Sequence, residues 1–162
     1  MFGKIINISD SVITVEINKR GELIPNLMNI HVVFEDNEMK LLGEIRNVLT
    51  DVIHIDLKGQ FIGEKFIQGT IKKPSLSSLI RVINEEELRI ILGTDNTSSI
   101  YIGKSPIYPE KNIYANINDL FSNHLSIMGN SGSGKSCSVS RIVQNIFLNK
   151  NFLTYNANLF FF

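Results

Sequence analysis

Short runs of valine and isoleucine, separated by turn-forming residues, recur along residues 1 to 103 of the chain. The run over residues 52–57 combines apolar–polar alternation with a continuous apolar stretch. Alternation has the two-residue period of a β-strand, because successive side chains of a strand point to opposite faces of a sheet. The pattern therefore predicts an all-β region over residues 1 to about 103.

The spacing of these runs predicts many short strands in succession. They are predicted over residues 4–8, 12–17, 30–35, 40–48, 52–57, 66–72, 79–83, 89–92 and 100–102. A hairpin is expected at residues 7–11, and a short helical turn at residues 84–87. Strands at this spacing are typical of a closed or nearly closed small β-barrel. Four glycines are expected at bends, bulges or close backbone approaches: Gly43, Gly59, Gly63 and Gly69.

The pattern changes after residue 103. Pro106 and Pro109 interrupt regular structure, and residues 112–118 are predicted to hold one strand. The apolar run 124–128 is of strand type. Beyond it, apolar side chains at positions 139, 142, 143, 146 and 147 predict one face of a helix, with Arg141, Gln144 and Asn145 on the other side.

Between that run and that helix lies a phosphate-binding loop. Residues 129–136 read Gly129-Asn130-Ser131-Gly132-Ser133-Gly134-Lys135-Ser136, a complete G-x-x-x-x-G-K-[ST] motif. The motif predicts that backbone N–H groups cradle the α- and β-phosphates of a nucleoside triphosphate. Lys135 is predicted to reach the β/γ-phosphates, and the Ser136 hydroxyl to ligate Mg²⁺. The flanking strand and helix patterns disfavour the alternative, a Gly/Ser-rich linker.

The chain has one cysteine, Cys137, on the first turn after the loop, where we assign it to the nucleotide site. A lone cysteine excludes an internal disulfide and a cysteine-cluster metal site. A reactive thiol is conceivable near a helix N-terminus. A small packed side chain is the favoured interpretation.

Composition adds mainly exclusions. The chain has 162 residues with 43% hydrophobic and 20% charged residues, which fits a globular protein. The formal net charge is +0, so no global basic field attracts nucleic acid. The sequence shows no apolar stretch of signal-peptide or membrane-spanning length, and we expect a cytoplasmic protein. His31, His54 and His124 do not have metal-ligand spacing.

The segment from His124 to Ser136, preceded by Asn118-Asp119-Leu120-Phe121, resembles the HerA branch of the HerA/FtsK superfamily of P-loop ATPases. That family shows a histidine, an apolar pair and then G-x-[ST]-G-S-G-K-S at this point. Residues 100–104 resemble its barrel exit, and residues 41–45, with Gly69 and Pro74, resemble its N-terminal barrel. The resemblance covers nearly the whole chain.

The resemblance implies hexameric rings that hydrolyse ATP, use Mg²⁺ and translocate double-stranded DNA. Members usually work with a nuclease, in DNA end processing or in defence against phage, and no membrane is involved. In the family an acidic motif follows at the point where this chain reaches Phe162. No residue here is therefore assigned as the Walker B acid, the water-activating group or the arginine finger, and the catalytic residues are unknown.

These patterns predict three parts. Residues 1–105 form a small β-barrel, residues 106–118 a connector, and residues 119–162 the incomplete start of an α/β P-loop NTPase domain of the RecA-like kind. The apolar end of the chain, residues 152–162, is predicted as a buried parallel strand. One strand–helix–strand unit makes no stable core alone, so we expect the chain to stop within a domain.

Two other functions stay open. One is a different P-loop enzyme, such as a kinase or a transporter ATPase. The other is a non-hydrolysing module in which the barrel mediates ring assembly or docks a partner. For the chain itself we expect weak ATP binding without useful hydrolysis, since only the metal ligand of the catalytic set is visible.

Overall fold

The structure is a computed structural model that describes residues 2–17, 27–37, 39–69, 72–122 and 125–148. It divides into two compact units, Met1–Ile91 and Leu92–Phe162. The first unit contains β1 (Phe2–Ile8), β2 (Val12–Ile17), β3 (His31–Asp36), β4 (Met39–Val48), β5 (Val52–Ile62), β6 (Lys65–Gln68), β7 (Leu79–Val82) and the helix α1 (Glu85–Leu92), which ends at the boundary. The second contains β8 (Ser99–Lys104), β9 (Asn112–Asn116), α2 (Ile117–Ser122) and α3 (Lys135–Leu148).

The first unit is one antiparallel sheet that curls into a half-barrel. Its strand order is β1-β2-β5-β4-β3-β7, and β6 pairs with the end of β5. β5 pairs with β2 through residues 52–56, with β6 through residues 59–62, and with β4 along most of its length. The centre of the sheet is therefore a strand that has hydrogen-bonded neighbours on both sides.

The core fills the inside of the curl. Alternate residues of neighbouring strands are fully buried there, such as Ile13 and Val15 on β2 and Ile53 and Ile55 on β5. Gly43 on β4 permits this density, because a Cβ at that position would collide with the side chain of Ile55 and come within 2.9 Å of the Phe34 ring. The alternation read from the sequence therefore marks the buried face.

The strand predictions of the first unit are mostly confirmed. The hairpin of β1 and β2 forms at residues 7–11, and β3, β4 and β7 fall within one or two residues of their predicted bounds. β5 runs on to Ile62, five residues beyond its predicted end, because its last residues pair with β6. β6 is shorter than the predicted strand 66–72, of which residues 70–71 lie outside the described residues.

Closure of the barrel is the expectation that the structure does not show. β1 and β7 approach each other, but within the described residues they form no hydrogen-bonded ladder. β7 has only four residues, all pairing with β3. The strand predicted to complete the set, over residues 100–102, belongs to β8, which pairs with β9 in a separate two-stranded sheet. What forms is thus a half-barrel.

The predicted strand over residues 89–92 is wrong, since these residues lie in α1. The helix begins with a capping box. The Asn84 side chain accepts a hydrogen bond from the Glu87 N–H at 2.8 Å, and the Glu87 carboxylate accepts one from the Asn84 N–H at 3.2 Å. Three acidic residues in the first turn also suit the positive end of the helix dipole. These signals outweigh the β-forming isoleucines at the end of the segment.

Arg81 holds α1 against the sheet. Its guanidinium donates two hydrogen bonds to the Glu87 carboxylate, at 2.8 and 2.6 Å, and one to Glu35 at 2.6 Å. Lys40 adds weaker ion pairs at 3.5 Å to both carboxylates. Hydrogen bonding from Arg81 lowers the pKa of Glu87 and of Glu35, and Glu87 keeps only 5% of its surface exposed. The nearly buried Glu87 carboxylate thus receives its two shortest hydrogen bonds from one arginine.

In the second unit, β8 and β9 form a hairpin closed by a short turned loop. Ser105 N–H donates to the Lys111 carbonyl at 2.9 Å, and Lys111 N–H donates to the Tyr108 carbonyl at 2.8 Å. The strand predicted over residues 112–118 is confirmed as β9, which ends two residues earlier. The chain then turns into α2, capped by the Asn116 side chain. Residues 152–162 lie outside the described residues, and the three-part domain division stays a prediction.

We predict that Arg81→Ala destabilises the half-barrel by about 2–4 kcal/mol, because it removes the two shortest hydrogen bonds of the nearly buried Glu87 carboxylate. Urea unfolding followed by circular dichroism measures this free energy. The matched control is Lys73→Ala, which removes the same charge from a 3.7 Å pair with fully exposed Asp10 and should change stability little.

Measuring the unfolding free energies of the parent chain and Arg81→Ala again at lower pH separates the ionic contribution of Arg81 from its packing contribution. The lowered pKa of each glutamate means that its stabilisation is present above the ordinary glutamate value of 4.5 and is lost as the pH falls below it. The difference between the parent chain and Arg81→Ala should therefore shrink below that pH. A difference that stays constant down to strong acid would contradict the ionic role of Arg81.

Candidate nucleotide-binding site

The phosphate-binding loop leads directly into the N-terminus of α3. Gly132 and Gly134 have φ angles of 78° and 83°, in the left-handed region that favours glycine. Between them the chain turns, and the Ser133 N–H donates to the Asn130 carbonyl at 3.2 Å. Helix α3 begins at Lys135. The two glycines therefore permit the sharp turns of the loop just before the helix starts.

Lys135 closes the loop on itself. Its ammonium group donates to the carbonyls of Gly129 and Asn130, both at 2.7 Å. Gly129 lies so close to Ser133 that an added Cβ would collide with the serine hydroxyl. The beginning and the end of the motif are thus in contact through one side chain and one glycine.

The start of α3 presents backbone donors. Its first helical hydrogen bond runs from the Ser138 N–H to the Gly134 carbonyl, at 2.9 Å. The N–H groups of Lys135, Ser136 and Cys137 precede that bond and, by helix geometry, have no carbonyl four residues back within the helix. Ser136 is exposed. Successive N–H groups, a lysine and a hydroxyl at a helix N-terminus are a donor set that fits phosphate and Mg²⁺.

The strand predicted before the loop is not formed in residues 125–128. These residues have no regular secondary structure, and the Met128 side chain is 85% exposed. His124 lies outside the described residues. An extended segment becomes a strand only by pairing, and its expected partner, residues 152–162, also lies outside them. The apolar run thus has strand composition without a neighbouring strand in the described part of the chain.

Helix α3 is confirmed, but its orientation differs from the prediction. Asn145, predicted on the outer side, donates from its side-chain nitrogen to the Tyr101 carbonyl of β8 at 2.6 Å. The predicted apolar face is only half-buried, and Phe147 is 75% exposed. In the described residues β8 has a paired strand on one side only, so its other edge offers free carbonyls that a polar side chain can cover.

The contact with β8 follows one stripe of α3. Residues 134, 138, 141 and 145 recur at helical spacing and all border a cleft of about 360 Å³ beside β8. We call it the β8–α3 cleft. It is lined by residues that include Tyr101, Ile102, Gly134, Cys137, Arg141 and Asn145. The cleft is not predicted by the sequence analysis. The signal that could have indicated it is this mostly polar stripe, which is distinct from the apolar face of α3.

The expectation of a packed Cys137 is wrong, because its thiol is exposed. Cys137 lies on the side of α3 that faces the cleft. Cys137 is therefore accessible to solvent at the end of the phosphate-binding loop.

The sequence around the loop carries basic residues and no acidic ones. From residue 120 to the end of the chain the sequence contains no aspartate or glutamate. In the described part, Arg141 has neither an ion pair nor a hydrogen bond, and no group of acidic, histidine or cysteine side chains is suited to hold a metal. The loop thus lies in a field favourable to an anion.

Residues 100–154 match the model of the family described as Helicase HerA, central domain. The match includes β8, β9, the whole phosphate-binding loop and α3. The segment of the chain from β8 to the end of α3 is therefore similar to the HerA central domain. The resemblance read from the sequence is therefore confirmed, on the segment that carries the loop.

No curated protein sequence matches the chain. Among the described residues, no helix is both long and apolar enough to cross a membrane.

We predict that Asn145→Ala loosens α3 from β8, because it removes the 2.6 Å hydrogen bond to the Tyr101 carbonyl. Amide hydrogen exchange along residues 138–148 should become several-fold faster, corresponding to about 1 kcal/mol. The control is Gln144→Ala on the exposed side of the same helix, which should leave exchange unchanged. Equal exchange in both variants would show that the bond does not hold the helix.

Proposed function

We propose that residues 129–136 bind ATP with Mg²⁺ and that the chain is the ATP-binding part of a HerA-like DNA translocase. The observation that supports this most directly is the HerA central-domain match over residues 100–154, which contains the loop. The geometry agrees with it. Two left-handed glycines, a lysine at the mouth of the loop and three N–H groups at the start of α3 form a donor set of the right chemistry.

The proposed roles follow from the positions of the groups. The N–H groups of Lys135, Ser136 and Cys137, which have no carbonyl partner within the helix, cradle the α- and β-phosphates. Lys135 exchanges its two carbonyl acceptors for the β/γ-phosphates, which are stronger partners because they are charged. The Ser136 hydroxyl holds Mg²⁺, which supplies charge neutralisation at the phosphates when bound.

The wider role comes from the family resemblance. We propose a homo-hexameric ring that translocates double-stranded DNA together with a nuclease, in DNA end processing or phage defence. The proposal includes the three-part division at residues 105 and 118, with residues 119–162 contributing to an α/β P-loop domain of the RecA-like kind. The half-barrel would form part of a closed barrel.

A second function, an assembly or docking module built on the half-barrel, has one observation in its favour. Leu76 and Leu79 are more than 60% exposed, and Leu79 lies on β7, whose outer edge has no paired strand among the described residues. Exposed apolar side chains beside an open strand edge favour association. Oligomerisation that depends on concentration but not on nucleotide would support this alternative.

We predict that Lys135→Ala weakens Mg·ATP binding about tenfold to a hundredfold, the effect of removing a hydrogen bond to a charged group. Isothermal titration calorimetry on the parent chain and the variant measures the change. The control is Lys104→Ala, an exposed lysine at the end of β8, outside the loop. Tight binding that survives in Lys135→Ala would overturn the proposal.

We predict no measurable ATP turnover by the chain itself. Phosphoryl transfer needs a metal, a positioned water and charge stabilisation together. No carboxylate follows Asp119 in the sequence to supply the water-positioning acid. A phosphate-release assay with Lys135→Ala as the blank tests this. Steady turnover that disappears in the variant would contradict the prediction.

A further inference from the structure

We propose that the β8–α3 cleft binds the base and ribose of the nucleotide, with Arg141 stacked on the base. The inference rests on the proposed function, because it places the phosphates at residues 129–136. The phosphate motif recognises only the phosphates of the nucleotide. The proposal assigns recognition of the base and ribose to residues outside that motif.

The cleft is continuous with the phosphate-binding loop. Gly134 belongs to the motif and also lines the cleft. Cys137 contributes one of the three N–H groups at the start of α3, while its exposed side chain lines the cleft as well. From Gly134 to Arg141 the helix advances two turns, or about 10 Å. A nucleotide whose phosphates lie on these N–H groups can therefore extend into the cleft along the same helix face.

The size and the lining of the cleft suit a nucleoside. Its volume of about 360 Å³ falls within the range of small-molecule sites. Ile102, on β8, offers an apolar side chain 39% exposed, and Ile142 another on α3. A planar base has two apolar faces that require such contacts. Ribose can occupy the more open side.

Two polar side chains in the cleft are already engaged. The Asn145 side-chain nitrogen donates to the Tyr101 carbonyl at 2.6 Å, and the Ser138 hydroxyl donates to the Gly134 carbonyl at 3.1 Å. Arg141 is different, since in the described part of the chain it has no ion pair or hydrogen bond. A planar guanidinium is suited to stack on an aromatic base. Recognition by stacking and apolar contact favours a purine, which has the larger ring surface, over a pyrimidine.

The first experiment compares three ligands, each with Mg²⁺: ATP, CTP and inorganic tripolyphosphate, which has the phosphates without a base. Calorimetry on the full chain should give about tenfold tighter binding of ATP than of tripolyphosphate, with CTP between them. Arg141→Ala should reduce the ratio of the ATP and tripolyphosphate affinities about threefold to tenfold, within the range of a cation–π contact. Using the ratio cancels the effect of the lost charge on the phosphates.

Gln144→Ala is the matched control, an exposed polar residue of α3 that does not line the cleft. It should keep the parent ratio. Equal affinities of ATP and tripolyphosphate in the parent chain would overturn the cleft assignment and leave the phosphate site standing. Failure of both ligands to bind would overturn the proposed function itself.

A second measurement does not depend on affinity. Cys137 is the only thiol of the chain, so its alkylation by a maleimide can be followed by mass spectrometry. At saturating concentrations, ATP should slow alkylation several-fold more than tripolyphosphate, because both occupy the loop and only ATP has a base to cover the thiol. Equal protection by the two ligands would show that the base lies elsewhere.

Discussion

The need of every backbone N–H and C=O group for a partner organises both units of this chain. In the half-barrel the sheet meets that need, since β5 has paired strands on both sides and the neighbouring strands continue the ladder. In the second unit the sheet has only two described strands, and side chains take over the task. Lys135 bonds the carbonyls at the mouth of the loop, and Asn145 bonds a carbonyl at the open edge of β8. The N–H groups left at the start of α3 are what make that unit a candidate site.

How much the sequence predicts depends on how local each feature is. The hairpin of β1 and β2, the strands of the half-barrel and the phosphate-binding loop are all set by residues close together in the chain, and the structure contains them. The capping box of Asn84 and Glu87 is equally local, but isoleucines at the end of α1 imitate a strand. In α1 the capping signal therefore predicts the structure correctly, and the strand-like composition of the isoleucines does not.

The features that sequence reasoning missed depend on contacts between distant segments. β8 pairs with β9 and not with a strand of the half-barrel. The local sequence pattern does not indicate which strand a short strand pairs with. Asn145 is polar, and the sequence pattern predicts it on the solvent side of α3, yet its side chain bonds a strand residue 44 positions earlier in the chain. The motif predicts the phosphate end of the candidate site, whereas the cleft beside it results from packing.

The hairpin of β8 and β9 carries Tyr101 and Tyr114, whose ring centroids lie 5.9 Å apart, and the distribution of tyrosines along the chain has an optical consequence. The chain has no tryptophan, and its four tyrosines, at positions 101, 108, 114 and 155, all follow the half-barrel in the sequence. Its tyrosine fluorescence therefore originates in the part of the chain that carries the loop, and the half-barrel contributes no tyrosine emission. A titration or a thermal scan followed by this emission reports on one unit of the chain without any introduced dye.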